Sequence, residues 1–363
     1  MLDSPHLVVS ISGHGFGHVA QTAPILNLLS KRMPQLRITV RSAVPQAHLR
    51  SRINAPFEHL QSQGDIGMIM SSALDVCVAE SRSAYQTFHA DWNTRVADEA
   101  KLLRELDADA VFSNVGYLAL AGAQKAGIPN AALCSLNWAD IYRHCCGSDA
   151  IANQIYTCYA QADVFFRATP GMLMRDLPNL VPVSPIAAVG DIKRNQLNQE
   201  LQLSAKDKLV LVSMGGIASR LPIERWPCRE NVFWVVQESW KVSHPKAIVL
   251  EMLKINFSDL LASCDVLVCK PGYGSFVEAA CCCKPVLYVN RPDWPETPAL
   301  VDWLQQNGVC REISLGQTES GEFFLELENV LQSPPPFRPT PNGADQVVNW
   351  LMENFFNASS SGN

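Results

Sequence analysis

The stretch Asp265-Val266-Leu267-Val268-Cys269-Lys270-Pro271-Gly272-Tyr273-Gly274-Ser275-Phe276-Val277-Glu278 decides the fold. A β-type apolar run meets a lysine, a proline and two glycines, then enters a helix-compatible segment. In a strand–loop–helix unit of this kind the first helical N–H groups and the helix dipole favour an anion. The helix start behind the glycine loop Lys270–Ser275 is therefore a candidate place for phosphate charge. Ser275 and Glu278 stand three residues apart, which reads in two ways. They have the spacing of a capping box; equally, Glu278 lies where a carboxylate accepts from the two hydroxyls of a ribose.

Working outward, the second half opens with Leu209-Val210-Leu211-Val212-Ser213 and runs into Met214-Gly215-Gly216, a second candidate diphosphate turn. Pro222 and Pro227 leave little room for a long helix after it. Further strands are predicted at 232–236, 247–250, 266–269 and 285–289, with helices at 257–263 and 275–283. The last strand delivers Asn290-Arg291-Pro292-Asp293-Trp294-Pro295-Glu296-Thr297. Asp293 and Glu296 suit sugar hydroxyls there, although the two prolines also describe a plain rigid loop.

The first half repeats the scheme. Leu7-Val8-Val9-Ser10-Ile11 leads into Gly13-His14-Gly15-Phe16-Gly17-His18 and a helix over 19–31. Strands are predicted at 36–41, 110–113, 131–134 and 164–166, and helices at 92–106 and 117–126. Such alternation implies a parallel sheet covered on both faces. The segment 178–185 carries three prolines and places a boundary near residue 186. The expectation is an α/β chain with two Rossmann-like, doubly wound domains (1–186 and 187–335) facing a central cleft. The remainder, 336–363, holds a proline-rich connection, a helix over 344–356 that crosses back to the first domain, and a mobile tail from residue 358.

Composition limits the function classes. The formal net charge of -6 disfavours nucleic acid, which needs a cationic face. The twelve cysteines form no CxxC pair, so thiols of a reducing compartment are expected rather than a zinc site. No metal is expected at Asp107-Ala108-Asp109 either, a turn ahead of a strand. No apolar run reaches the length of a membrane span, and the chain is expected to be cytoplasmic. Lys31, Arg32, Arg37, Arg41, Arg50 and Arg52 form a stretch without acids. That stretch suits either solvated element ends or a phosphorylated, lipid-linked or membrane-surface partner.

The first-half turn spells GxGxG, not the GxGxxG of a dinucleotide site. Gly13, Gly15 and Gly17 let a ligand approach the backbone. His18, and less directly His14, are the candidate catalytic residues, because an imidazole with an ordinary pKa near 6.5 accepts a proton from a hydroxyl at neutral pH. Arg41, ending the second strand, keeps an enzyme using a 2′-phosphorylated nicotinamide cofactor as a lesser alternative.

Taken together, these motifs resemble the GT-B glycosyltransferases, within them the MurG-like branch that uses UDP-N-acetylglucosamine and lipid-linked acceptors. The GHGFGH turn is also similar to that of the glycosyltransferase-like N-terminal half of L-arabinokinases. The resemblance implies metal-independent transfer of a sugar from a UDP-sugar to an acceptor hydroxyl, with no cofactor beyond that donor substrate. It places Gly272, Tyr273, Gly274 and Ser275 on the diphosphate, Glu278 on the ribose, Ile255 in the segment beside the base, and Asp293 and Glu296 near the donor sugar. Gly17 and His18 fall on the acceptor side. Gln21 stands where the GHGFGH relatives often carry an arginine, and the acidic-glutamine pair of many UDP-sugar enzymes is not reproduced around Asp293. A nucleotide-sugar 2-epimerase and a non-catalytic nucleotide-sugar-binding protein are the alternatives on the same architecture.

Overall fold

The computed structural model describes residues 4–216, 220–334 and 338–356, so the expected tail from residue 358 lies outside the described residues. The chain separates into two compact units. The first comprises the described parts of Met1–Ser71, Asp75–Ile186 and Pro341–Asn363; the second comprises Ser72–Leu74 and Ala187–Thr340.

The first unit is built on β1 (His6–Ile11), β2 (Arg37–Ser42), β3 (Glu58–Gln61), β4 (Ala110–Asn114), β5 (Asn130–Cys134), β6 (Val164–Ala168) and β7 (Leu180–Val183). They form one sheet in the order β3-β2-β1-β4-β5-β6-β7, and β1 runs parallel to both β2 and β4. β1, β4 and β5 are buried along their whole lengths, which is why they read as unbroken apolar runs. The covering helices are α1 (Phe16–Arg32), α2 (Gln46–Arg52), α3 (Val78–Ala90), α4 (Trp92–Glu105), α5 (Tyr117–Ala126), α6 (Trp138–Cys146) and α7 (Ala150–Ala160). The strand order reverses between β1 and β4, so their carboxyl ends flank the switch point where doubly wound sheets bind ligands.

The three-proline segment read from sequence as a boundary carries β7. Its Pro182 pairs with the ladder only from the β6 side, and at a sheet edge the missing N–H breaks no second ladder.

The second unit holds β8 (Lys208–Ser213), β9 (Val232–Val236), β10 (Ala247–Val249), β11 (Val266–Cys269), β12 (Val286–Val289) and β13 (Cys310–Ile313). Their order is β10-β9-β8-β11-β12-β13, with the switch point between β8 and β11. Its helices are α8 (Arg194–Glu200), α9 (Phe257–Ser263), α10 (Tyr273–Cys281), α11 (Thr297–Asn307), α12 (Leu315–Ser320) and α13 (Phe324–Gln332). Between β8 and β9 the described residues hold only a 3-10 turn, Ile223–Arg225, in keeping with Pro222 and Pro227. Ala73, from far earlier in the chain, is fully buried in this unit's core with Val212, Met214, Trp226 and Trp234.

After the second unit the chain returns to the first with α14 (Gly343–Leu351). Trp350 meets Phe166 edge-on at 5.4 Å, Gln346 accepts from the Ser184 N–H at 2.7 Å, and Arg32 pairs with Asp345. The helix expected over 344–356 is thus α-helical only to Leu351, with Met352–Phe356 continuing as a π-helical turn.

Candidate functional site

In the second unit, Cys269 stands opposite Ser213 across the β8–β11 ladder. The Gly215-Gly216 turn and the Lys270-Pro271-Gly272 loop therefore leave the sheet side by side at its switch point. Gly215 has φ +83°, and a Cβ there would lie 3.7 Å from Lys270 Cε and 3.9 Å from its Nζ. The lysine thus lies against a backbone bend that favours glycine.

Helix α10 starts at Tyr273, and its N-cap Gly272 offers no side-chain acceptor. This overturns the capping-box alternative, since Ser275 sits inside the first turn and Glu278 further into the helix. Gly272 supplies no side-chain cap and, among the described residues, the first turn holds no acid, an arrangement that favours an anion at the helix start. Gly272 and Ser275 are partly exposed, Tyr273 and Gly274 are buried, and Glu278 is only 2% exposed.

Burial, reinforced by the Arg291 charge, lowers the Lys270 pKa to about 8, while Glu296 and Cys269 pull it back up. A phosphate arriving here would favour the charged form. Arg291 is buried, with its guanidinium carbon 3.9 Å over the Trp294 ring and its Nε donating to the Leu74 carbonyl at 3.3 Å. Trp294 Nε1 donates to Glu296 at 3.3 Å. Of the two candidate sugar acids, Glu296 is therefore buried in the Lys270 cluster and Asp293 is exposed. Ile255 is half-buried just ahead of Asn256, which caps α9 by accepting from the Asp259 N–H at 2.8 Å.

In the first unit, the Gly13–His18 turn leaves β1 beside the end of β4. A Cβ on Gly13 would meet the Ala43 Cβ at 2.9 Å, whereas at Gly15 and Gly17 it would meet nothing within 4 Å. Those two glycines leave backbone uncovered without serving packing. His18, in the first turn of α1, is buried, and its Nδ1 is 2.9 Å from Asn114 Oδ1. Asn114 donates to Gln21 Oε1 at 3.1 Å, and Gln21 donates to Ser135 Oγ at 2.7 Å. This chain of donors makes His18 Nδ1 the protonated nitrogen and Nε2 the basic one.

The expected ordinary pKa for His18 is corrected. Burial lowers it to about 4, against the opposing Asn114 hydrogen bond, so the imidazole is neutral across physiological pH. His14 packs edge-on against Trp138 at 5.0 Å.

Arg41 forms a buried ion pair with Glu99, with a second contact at 2.8 Å, and also reaches Ser62. A cation already matched by a buried carboxylate is not open to a 2′-phosphate, which counts against the nicotinamide alternative. Arg32 is paired with α14, and Arg50 stacks 4.0 Å over Phe57. Half of the basic stretch thus serves the fold. Asp109 accepts from the His6 N–H at 2.7 Å, at the amino end of β1 and away from the loops just described. Among the described residues no group of three or more acidic, histidine or cysteine side chains is placed to hold a metal, and no helix is long and apolar enough to cross a membrane.

Sequence reasoning missed Asn114, Ser135, Trp138 and Asp65 in the first unit. The paired glycines of Gly64-Asp65-Ile66-Gly67 were the available signal for the last of them.

No protein-family model matches the sequence. The chain is similar to an L-arabinokinase of Arabidopsis thaliana, 23% identical over 360 residues, covering 96% of this chain and 34% of that protein. It therefore spans about a third of that relative's length. Among solved structures it is similar to the glycotransferase of kitacinnamycin, with a TM-score of 0.60, 16% identity and coverage of 96% and 94% of the two chains. It is also similar to MurG of Acinetobacter baumannii, with a TM-score of 0.52, 16% identity and coverage of 96% and 99%. The UDP-GlcNAc 2-epimerase of Methanocaldococcus jannaschii gives a TM-score of 0.56 at 11% identity, with coverage of 96% and 100%. At such identities the likeness is one of fold: the chain has the GT-B fold, which it shares with glycosyltransferases and with UDP-GlcNAc 2-epimerases.

Proposed function

We propose that the protein is a metal-independent glycosyltransferase that takes its sugar from a UDP-sugar. The carrying observation is the second unit's switch point, where two glycine turns, the Lys270 ammonium and the start of α10 behind Gly272 converge. That arrangement suits a diphosphate held without a metal ion. In the proposed step the bond between the sugar's anomeric carbon and the diphosphate oxygen breaks, and its electron pair leaves with UDP. The acceptor oxygen bonds to that carbon, and its proton passes to His18 Nε2.

Glu278 is assigned to the ribose, Ile255 to the side of the base, and Asp293 and Glu296 to the donor sugar. Gly13, Gly15 and Gly17 are assigned to the acceptor side, with His14 as a second histidine there. A phosphorylated or lipid-linked molecule is the proposed acceptor class, and the cytoplasm, with at most peripheral membrane contact, the proposed location.

The likeness to a UDP-GlcNAc 2-epimerase favours one second reading, acceptor-free chemistry on the same donor. Incubating UDP-sugars with and without a hydroxyl acceptor panel separates the two. Transfer requires UDP release that depends on acceptor and a glycosylated product. Acceptor-free conversion of UDP-GlcNAc into the sugar inverted at C2, with or without loss of UDP, would favour the epimerase. Calorimetric binding without turnover in either arm would leave a nucleotide-sugar-binding protein.

A further inference from the structure

Asp65 is buried beside the first unit's two-histidine turn, on the loop between β3 and α3, and the proposed step does not use it. Ser12 Oγ donates to its Oδ1 at 3.0 Å, and Trp138 Nε1 donates to its Oδ2 at 3.0 Å. Trp138 opens α6, whose N-terminus Asn137 caps, and is completely buried. Its ring meets His14 edge-on at 5.0 Å and His18 at 5.8 Å. Ser12 Oγ also accepts from the His14 N–H at 3.4 Å.

Two residues beyond Asp65, Gly67 takes φ +63°, and a Cβ there would stand 2.7–2.9 Å from the side chain of His14. The same short loop therefore touches His14 through its backbone and holds, through Asp65, the indole that touches both imidazoles. Gly116, between β4 and α5, closes on the carboxyl, since a Cβ there would lie 3.6 Å from Asp65 Oδ2 and 2.8 Å from Ser10 Oγ. Burial pushes the Asp65 pKa up to about 6 against the Ser12 and Trp138 hydrogen bonds. For packing alone, an apolar side chain would avoid that desolvation.

We propose that Asp65 is the positioning residue of the two-histidine turn, fixing the ring planes of His14 and His18 through Trp138 and Ser12. The role rests on the reading of His18 as the base, but its geometric part can be tested without turnover. In the full chain, long-range 1H–15N correlation spectra follow each imidazole, with His14→Asn and His18→Asn assigning the signals. Asp65→Ala should move both sets of signals, and Asp65→Asn, which keeps an acceptor for the indole, should restore them. With a competent UDP-sugar and acceptor, Asp65→Ala should lower kcat by about 100-fold while donor KM stays within about twofold, and Asp65→Asn should recover most of the loss.

Should Asp65→Ala lose its circular-dichroism signature, Trp138→Phe, which deletes only the indole N–H contact and ring bulk, takes its place and should move the same signals. Unmoved imidazole signals in a folded Asp65→Ala or Trp138→Phe protein overturn the proposal. If wild type shows no transfer while the signals respond, the transferase reading fails and the positioning role stands.

Discussion

Replacing Lys270, and titrating it, probes the proposed donor site most sharply. Its ammonium is held at a pKa of about 8 by burial and by Arg291. The fraction charged therefore falls from about nine-tenths at pH 7 to about one-tenth at pH 9. If a diphosphate binds only the charged form, its Kd should rise about tenfold over that interval, about 1.4 kcal/mol. The sign is fixed, because raising the pH removes the cation and weakens the anion's binding. A terminal phosphate loses its second proton near pH 6, and the pKa values of Asp65 and His18, about 6 and about 4, also lie below the window.

Isothermal titration calorimetry with UDP at matched ionic strength reads the effect. Lys270→Met should weaken UDP by about 10- to 100-fold at pH 7, as expected for a lost charge-assisted hydrogen bond, and should flatten the pH dependence. Lys270→Arg should also flatten it, since a guanidinium stays charged throughout. A wild-type Kd unchanged between pH 7 and 9, or the full pH slope retained in Lys270→Met, would refute the assignment of this lysine to the phosphate.

Three further outcomes are expected. Glu99→Ala leaves the Arg41 cation buried without its carboxylate and should cost about 3–5 kcal/mol in urea unfolding; a loss under about 1 kcal/mol contradicts the pairing. Asp65, with its folded pKa raised to about 6, contributes stability that is complete below its unfolded value and lost as pH rises through 6. His18, with its pKa lowered to about 4, contributes stability present above 6.5 and lost as pH falls toward 4. The two trends oppose each other, each by about 3 kcal/mol, so Tm of Asp65→Asn should fall more steeply than wild type on acidification from pH 6 to 4. A parallel course would show that Asp65 does not titrate there. Finally, with His18 as base, the His18-dependent acid limb of kcat/KM should fall near pH 4; a limb at 6.5 would mean that His18 is not the group being read.

Much of this fold was legible because buried parallel strands announce themselves as apolar runs ending in glycine. That holds for Leu7–Ile11 before Gly13 and for Val266–Cys269 before Gly272. β7 was not legible, because Pro182 is a breaker everywhere except at an edge, and sequence does not say which strand lies there. The start of α10 was misplaced in one reading because Ser275 and Glu278 mimic a cap, while the chain turns helical three residues after Lys270. At the site, glycines and histidines in one turn were visible as a group. Asp65, Asn114 and Trp138 come from three separate segments, and only the sheet order brings them to the end of β1. The pKa of His18 was also out of reach, since it depends on burial by residues distant in sequence.

The central claim is that the second unit's switch point holds a nucleoside diphosphate. A crystal structure of the full chain with UDP tests it most directly. The expected electron density places the terminal phosphate at the N–H groups of Tyr273–Ser275, with Lys270 Nζ in hydrogen-bond reach and the ribose hydroxyls on Glu278. UDP bound elsewhere, with its phosphates away from the start of α10, would contradict the account.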